Sequence, residues 1–187
     1  LGLVAKTVFE NGLEGISKVK VQIGYPIRMA RCERLSSAEE IIAKIGRCAL
    51  EAKYDGFRCQ IHKMGDRIEI FSRNLERTTP MFPEIVRAVK THIKVETLIF
   101  EGEALAYRET TGELLPFQVT IQRKRKHGIE DIAKEYPLKF YAFDLLYLDG
   151  EDYTSLSYLE RRKKLEPLIK KDTILELSET IVTEDSK

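Results

Sequence analysis

Apolar positions recur at helical spacing just after Ser37. Ala38, Ile41, Ile42 and Ile45 form one stripe, Ser37 and Glu40 make a capping-box pattern, and a helix is expected over about 37–46. After Gly46 the period drops to two. Cys48, Leu50, Ala52 and Tyr54 then share one face of an expected strand, with Glu51 and Lys53 on the other. Asp55-Gly56 bends the chain. Phe57, Cys59 and Ile61 next alternate with Arg58, Gln60 and His62, and Gly65-Asp66 offers a two-residue hairpin turn into a return strand from Arg67 to about Asn74. Pro83 opens a helix carrying Ile85, Val86, Val89 and Ile93. A strand from Leu98 to Tyr107 sets Glu101 and Glu103 on one face and Gly102 on the other. Leu114 to Val119 reads as a further strand, and Leu138 to Leu148 is so continuously apolar that it belongs in the middle of a sheet, ending at an Asp149-Gly150 turn. An amphipathic helix with Arg161, Arg162, Lys163 and Lys164 and a short strand at Ile174 to Leu177 follow. Residues 1–25 read as a linker or as the remnant of a preceding domain, reaching turn chemistry at Gly24-Tyr25-Pro26.

The hairpin turn fixes a register. With Met64 and Arg67 flanking the loop, Arg58 lies opposite Arg73, and like charges facing each other on a sheet are unfavourable. Either an anion such as phosphate or carboxylate is held between the two guanidinium groups, or both are solvated or paired with glutamates such as Glu69. Glu101 and Glu103 pose the mirror-image problem, and a nearby cation would relieve it.

Composition narrows the classes. At 187 residues, 43% hydrophobic and 33% charged, the chain suits one globular domain or one domain with a fragment of another. A net charge of +1 carries no global signature of a nucleic-acid or membrane binder, so any such role is local. Cys32, Cys48 and Cys59 form no CxxC pair, which favours small buried side chains in a reducing compartment over a disulfide or zinc framework. With no apolar run of membrane-spanning length and no signal-peptide pattern, the expectation is an intracellular protein without a membrane partner, in the cytoplasm or nucleoid, or in a eukaryotic nucleus. His62, His92 and His127 are scattered and read as bystanders. The chain opens in mid-pattern and stops without a closing element, so a piece of a longer protein is expected.

Lys53-Tyr54-Asp55-Gly56-Phe57-Arg58 carries the candidate chemistry. It puts a lysine at a strand end, a glycine turn beyond it and an arginine on the return. A lysine nucleophile attacks as the neutral amine, which nearby cations and desolvation favour; a lone KxDG match is far more often an exposed strand lysine. The segment resembles motif I of the covalent nucleotidyltransferases, the DNA ligases, RNA ligases and mRNA capping enzymes. Phe71-Ser72-Arg73-Asn74 resembles the short ligase element that follows it, and Phe100-Glu101-Gly102-Glu103-Ala104 resembles motif III. Tyr141-Ala142-Phe143-Asp144 with Leu145 to Gly150 resembles motif IIIa. The matches fall in family order. Pro116-Phe117-Gln118-Val119 and the basic run from Gln122 are similar to ATP-dependent DNA ligases of the archaeal and eukaryotic type.

That resemblance spans about residues 25–180 and implies an α+β adenylation-domain core over 26–187: antiparallel sheets flanked by helices, with the nucleotide in a cleft. Motifs IV and V are not found in the chain. By resemblance, Lys53 takes AMP from ATP as a phosphoramidate, Arg58 and Arg73 contact ribose or phosphate, Glu51 helps read adenine, Phe143 stacks on it, and Glu103 holds the ribose or a magnesium ion. Glu101 is either a support or a ligand, and Asp144 either a structural or a catalytic carboxylate. Nicked double-stranded DNA is the implied partner, with the Gln122–His127 run and the Arg161–Lys164 face as alternatives between backbone contacts and ordinary solvated surface, and a sliding clamp reached through regions outside this chain. Taken alone, the chain is expected to adenylate poorly and to ligate nothing. The competing readings are an RNA ligase or capping-type enzyme and a non-enzymatic nucleic-acid-binding module.

Overall fold

The computed structural model describes residues 2–124, 133–170 and 174–186. Its centre is an antiparallel sheet in which β2 (Phe57–Met64) lies between β3 (Arg67–Ser72) and β4 (Thr97–Ala106). β5 (Leu138–Leu148) pairs on one side with β4 and on the other with the short β6 (Glu151–Asp152) and, in parallel, with β7 (Leu175–Leu177). The central position expected for the long apolar strand is therefore observed. The hairpin also has the expected register, Met64 opposite Arg67, with Gly65 turning at φ 55° where a side chain would be strained.

Helix α3 (Pro83–His92) closes one face of this sheet, its Ile85 and Val89 fully buried together with Phe82, Cys59, Ile61, Ile70, Phe100, Phe140 and Leu145. Each large apolar side chain among them contributes roughly 1.5–3 kcal/mol by leaving water. Gly102 belongs to this face as well: a Cβ there would come within 2.4 Å of Phe140 and 2.5 Å of the Tyr141 carbonyl. The opposite face of β2 and β4 is polar but also covered, because the strap of residues 24–27, leaving a turn at Gly24, lies across Gln60 and His62.

A second, two-stranded sheet pairs β1 (Cys48–Glu51) with β8 (Thr180–Thr183). It follows α2 (Ala38–Ile45), whose start is capped as expected: the Ser37 hydroxyl accepts from the Glu40 amide at 3.2 Å. The reciprocal bond comes from the amide of Ser36 at 3.0 Å and not from Ser37, so the box is displaced by one residue. Other helices among the described residues include α1 (Gly2–Asn11), the single-turn α4 (Phe117–Thr120) and α5 (Tyr158–Leu165).

Several expectations need correction. The strand from Cys48 ends at Glu51, so Lys53 and Tyr54 lie in the connection to β2 and not on a continued pleat. Leu114 to Val119 is no strand: Leu114 makes a single bridge to Tyr107, then the chain turns into α4, where the Thr120 hydroxyl accepts from the Ala106 amide at 3.0 Å. Apolar alternation over so short a run cannot distinguish these outcomes. Cys59 is buried, but Cys48 is only partly so and Cys32 is exposed. Of the basic run, Arg123 is fully buried, bonded to the Glu84 carboxylate and to the Tyr136 carbonyl at 2.6 Å, so it is not a surface contact; 125–127 lie outside the described residues.

Candidate nucleotide-binding site

The site is assembled where the β1–β2 connection meets β4 and β5. Gly56 is what allows the approach: a Cβ on it would fall 2.5 Å from the Ala104 carbonyl and 2.7 Å from Leu105, so only a bare backbone can press this turn onto β4. In the ladder that follows, Arg58 lies opposite Glu103 and Gln60 opposite Glu101. The two carboxylates therefore face a cation and an amide.

Arg58 donates through Nη2 to Glu101 Oε2 at 2.5 Å, and its guanidinium carbon sits 5.0 Å from the centre of the Phe143 ring. The repulsion anticipated between Arg58 and Arg73 thus does not arise. β3 ends at Ser72, and Arg73 is exposed in the turn beyond it, with no ion pair among the described residues, while Glu69 pairs with Arg67 and Arg77. Arg58 Nε is buried and has no hydrogen-bond partner among the described residues. Such a donor, costly to leave unmet, fits an oxygen acceptor supplied by a ligand.

Glu103 is partly buried, and that burial raises its carboxyl to about 7 against the opposing charges of Lys53 and Arg58 and a hydrogen bond from the Gly56 amide. Lys53 is exposed, its Nζ 3.4 Å from the Tyr54 carbonyl oxygen, and close enough to Glu103 for the two charges to be felt. Tyr54 stacks on Tyr141 with centroids 4.4 Å apart and planes 14° off parallel, which clamps the lysine-bearing segment to β5. Alternation in the sequence puts Tyr54 on a strand face and gives no sign of that clamp.

Phe143 is an unpaired residue of β5. The register with β4 jumps from Glu101–Asp144 to Gly102–Ala142, which interrupts the simple alternation expected to set Asp144 opposite Phe143. Asp144 is held by Arg161, which donates to Oδ1 at 2.6 Å and to Oδ2 at 3.0 Å. Glu51, at the end of β1, accepts on Oε1 from Tyr158 at 2.6 Å, Ser178 at 2.8 Å and Thr180 at 3.0 Å, with Arg162 at 3.7 Å. Arg161 and Arg162 are thereby engaged inside the fold, and only Lys163 and Lys164 of that helix face remain exposed.

The structure thus brings together Lys53, Arg58, Glu103 and Phe143, anchors Glu51 on the neighbouring element, and leaves Arg73 apart from any ion-pair partner among the described residues. His62, a bystander by its sequence context, is buried, and burial lowers its pKa to about 4, with Glu69 opposing. Among the described residues no group of three or more His, Cys, Asp or Glu is placed to hold a metal ion, and no helix is long and apolar enough to cross a membrane.

This α+β fold is that of the nucleotidyltransferase domains of ligases. The chain belongs to the family described as the ATP dependent DNA ligase domain, whose sequence profile matches residues 29–187. It is 53% identical over its whole length to a probable DNA ligase of Dictyoglomus thermophilum and spans 32% of that protein. It is 45% identical over 180 residues to a DNA ligase of Sulfolobus acidocaldarius, covering 96% of this chain and 30% of the relative. Among solved structures, mycobacterial DNA ligase D complexed with ATP superimposes with a TM-score of 0.53 at 25% identity, over 73% of this chain and 41% of that one. The ATP-dependent DNA ligase of bacteriophage T7 shares the fold, with a TM-score of 0.50 at 14% identity over 88% of this chain and 57% of that one.

Proposed function

We propose that this chain supplies the nucleotide-binding core of an ATP-dependent DNA ligase in which Lys53 is the nucleophile. Lys53 Nζ bonds to the α-phosphorus of ATP, the bond from that phosphorus to the pyrophosphate oxygen breaks, and the amine gives up its proton. AMP then passes to the 5′-phosphate at a nick in double-stranded DNA, and the 3′-hydroxyl displaces it to seal the strand.

Arg58 is suited to a phosphate or ribose oxygen because its Nε has no acceptor among the described residues, and Phe143 offers a ring for the base. In this reading Arg73, exposed in the turn after β3, contacts the nucleotide, and Glu51, anchored at the end of β1, helps to read the base. A magnesium ion would offset charge on the phosphate oxygens; it takes few protein ligands when phosphates supply the others, so the single carboxylate of Glu103 is adequate. The observation that carries this reading is the turn at Gly56, which sets Lys53 and Arg58 together against Glu103.

The test is a mass spectrum of the full-length polypeptide after incubation with ATP and magnesium. A gain of one AMP that disappears in Lys53→Ala supports the assignment, and labelling that survives the substitution refutes it. Sealing of nicked DNA but not of nicked RNA by the same protein distinguishes it from an RNA ligase or capping-type enzyme.

A further inference from the structure

Behind Arg58 lies a buried polar chain that neither the motifs nor the family comparison assigns. Gln60 is 4% exposed and uses its entire amide. Its Oε1 accepts from the Ile27 amide at 2.7 Å and lies 2.9 Å from His62 Nε2; its Nε2 donates to the Ile27 carbonyl and to Glu101 Oε1, each at 2.9 Å. The orientation of the amide follows from chemistry. His62 Nδ1 accepts from the Gly24 amide at 2.9 Å, so the ring proton sits on Nε2 and must find an oxygen, which is Gln60 Oε1. Glu101, 5% exposed, is then held on one oxygen by Gln60 and on the other by Arg58.

We infer that Gln60 is a positioning residue for Arg58: braced by the strap at 24–27 and by His62, it fixes the Glu101 carboxylate, which in turn aims the guanidinium across Phe143. The inference rests on the proposed role of Arg58 in nucleotide binding. An unsupported Glu101 would rotate or take a proton, and Arg58 would lose the carboxylate that sets its direction. A long arginine side chain has many rotamers, so holding it in place before the nucleotide arrives avoids an ordering cost during binding.

A purely structural role, stapling the strap to the sheet, would cost activity whether or not Arg58 is present. The deciding measurement is therefore the rate of Lys53 labelling by ATP, as kcat/KM, for Gln60→Leu in the full-length polypeptide and again in an Arg58→Ala background, with thermal melts showing that each variant is folded. Gln60→Leu is expected to lower kcat/KM about tenfold when Arg58 is present and less than about twofold when it is not. Equal losses in both backgrounds, or no loss in either, overturn the inference. If Gln60→Leu does not fold, Gln60→Glu makes the same comparison at a pH where the new carboxylate is ionised, since it then keeps the acceptor for Ile27 and His62 but loses the donor to Glu101 and to the Ile27 carbonyl. Loss of labelling in Lys53→Ala alongside equal Gln60 effects defeats the positioning role alone, whereas labelling that survives Lys53→Ala defeats the nucleotide reading and this inference with it.

Discussion

At the scale of single residues, Gly56 limits what the site tolerates. A methyl group there has nowhere to go, since one of its neighbours at 2.5 Å is a β4 carbonyl in a paired strand. Gly56→Ala is expected to cost about 1–3 kcal/mol in urea unfolding and to slow the proposed labelling of Lys53 by ATP at the same time, because Lys53 and Arg58 move with the turn. Glu103 supplies a prediction with a definite sign. Its folded pKa of about 7 lies above the ordinary 4.5, so between those values the folded state holds the proton that the unfolded chain releases, and rising pH removes stability. Glu103→Gln should therefore gain on the wild type as pH rises through that window, by on the order of 2 kcal/mol after allowance for partial exposure, with a constant difference above and below it. A difference that is flat with pH, in unfolding curves at several pH values, would mean that burial does not raise this carboxyl. The charged residues of the site are legible as types in the sequence. Their partners are not, because Arg58 meets Glu101 only once β4 lies beside β2.

Elements are legible where one local rule governs them. The β2–β3 hairpin follows from a two-residue glycine turn between alternating runs, and α3 from a proline start and an apolar stripe. Helix α5 begins with a complete capping box, Ser157 accepting from the Glu160 amide and Glu160 accepting from that of Ser157. Ser157→Ala is expected to cost about 1 kcal/mol in thermal or chemical unfolding, and to loosen Arg161 where it holds Asp144. Elements that depend on distant partners escape local rules. Alternation carries β1 through Tyr54, although its partner β8 ends the pairing at Glu51. The same pattern makes a strand of 114–119, although only Leu114 finds a bridge.

For the whole molecule, the joint between the two sheets matters most. Glu51 and Thr180, 129 residues apart in sequence, meet in one hydrogen bond, and Arg162 completes the cluster through Ser178 at 2.9 Å to its hydroxyl and 2.6 Å to its carbonyl. Arg162→Ala is expected to cost about 1.5–3 kcal/mol, and hydrogen exchange should show the amides of β1 and β8 losing protection before those of β2 and β4. Uniform loss across both sheets would mean that they open as one unit.

Sequence alone determined which candidate side chains the chain offers and much of its local geometry: the lysine ahead of a glycine turn, the arginine on the return strand, the carboxylates two residues apart, and the hairpin register. These depend on backbone sterics and a period of two, which act over a few residues. Only the tertiary structure decided which charges meet, that Arg123, Arg161 and Arg162 are bound within the fold, and that Gln60 and His62 form a buried brace. Those outcomes depend on strands and a strap that are distant in the chain, and a burial cost is felt only after they have closed over the side chain.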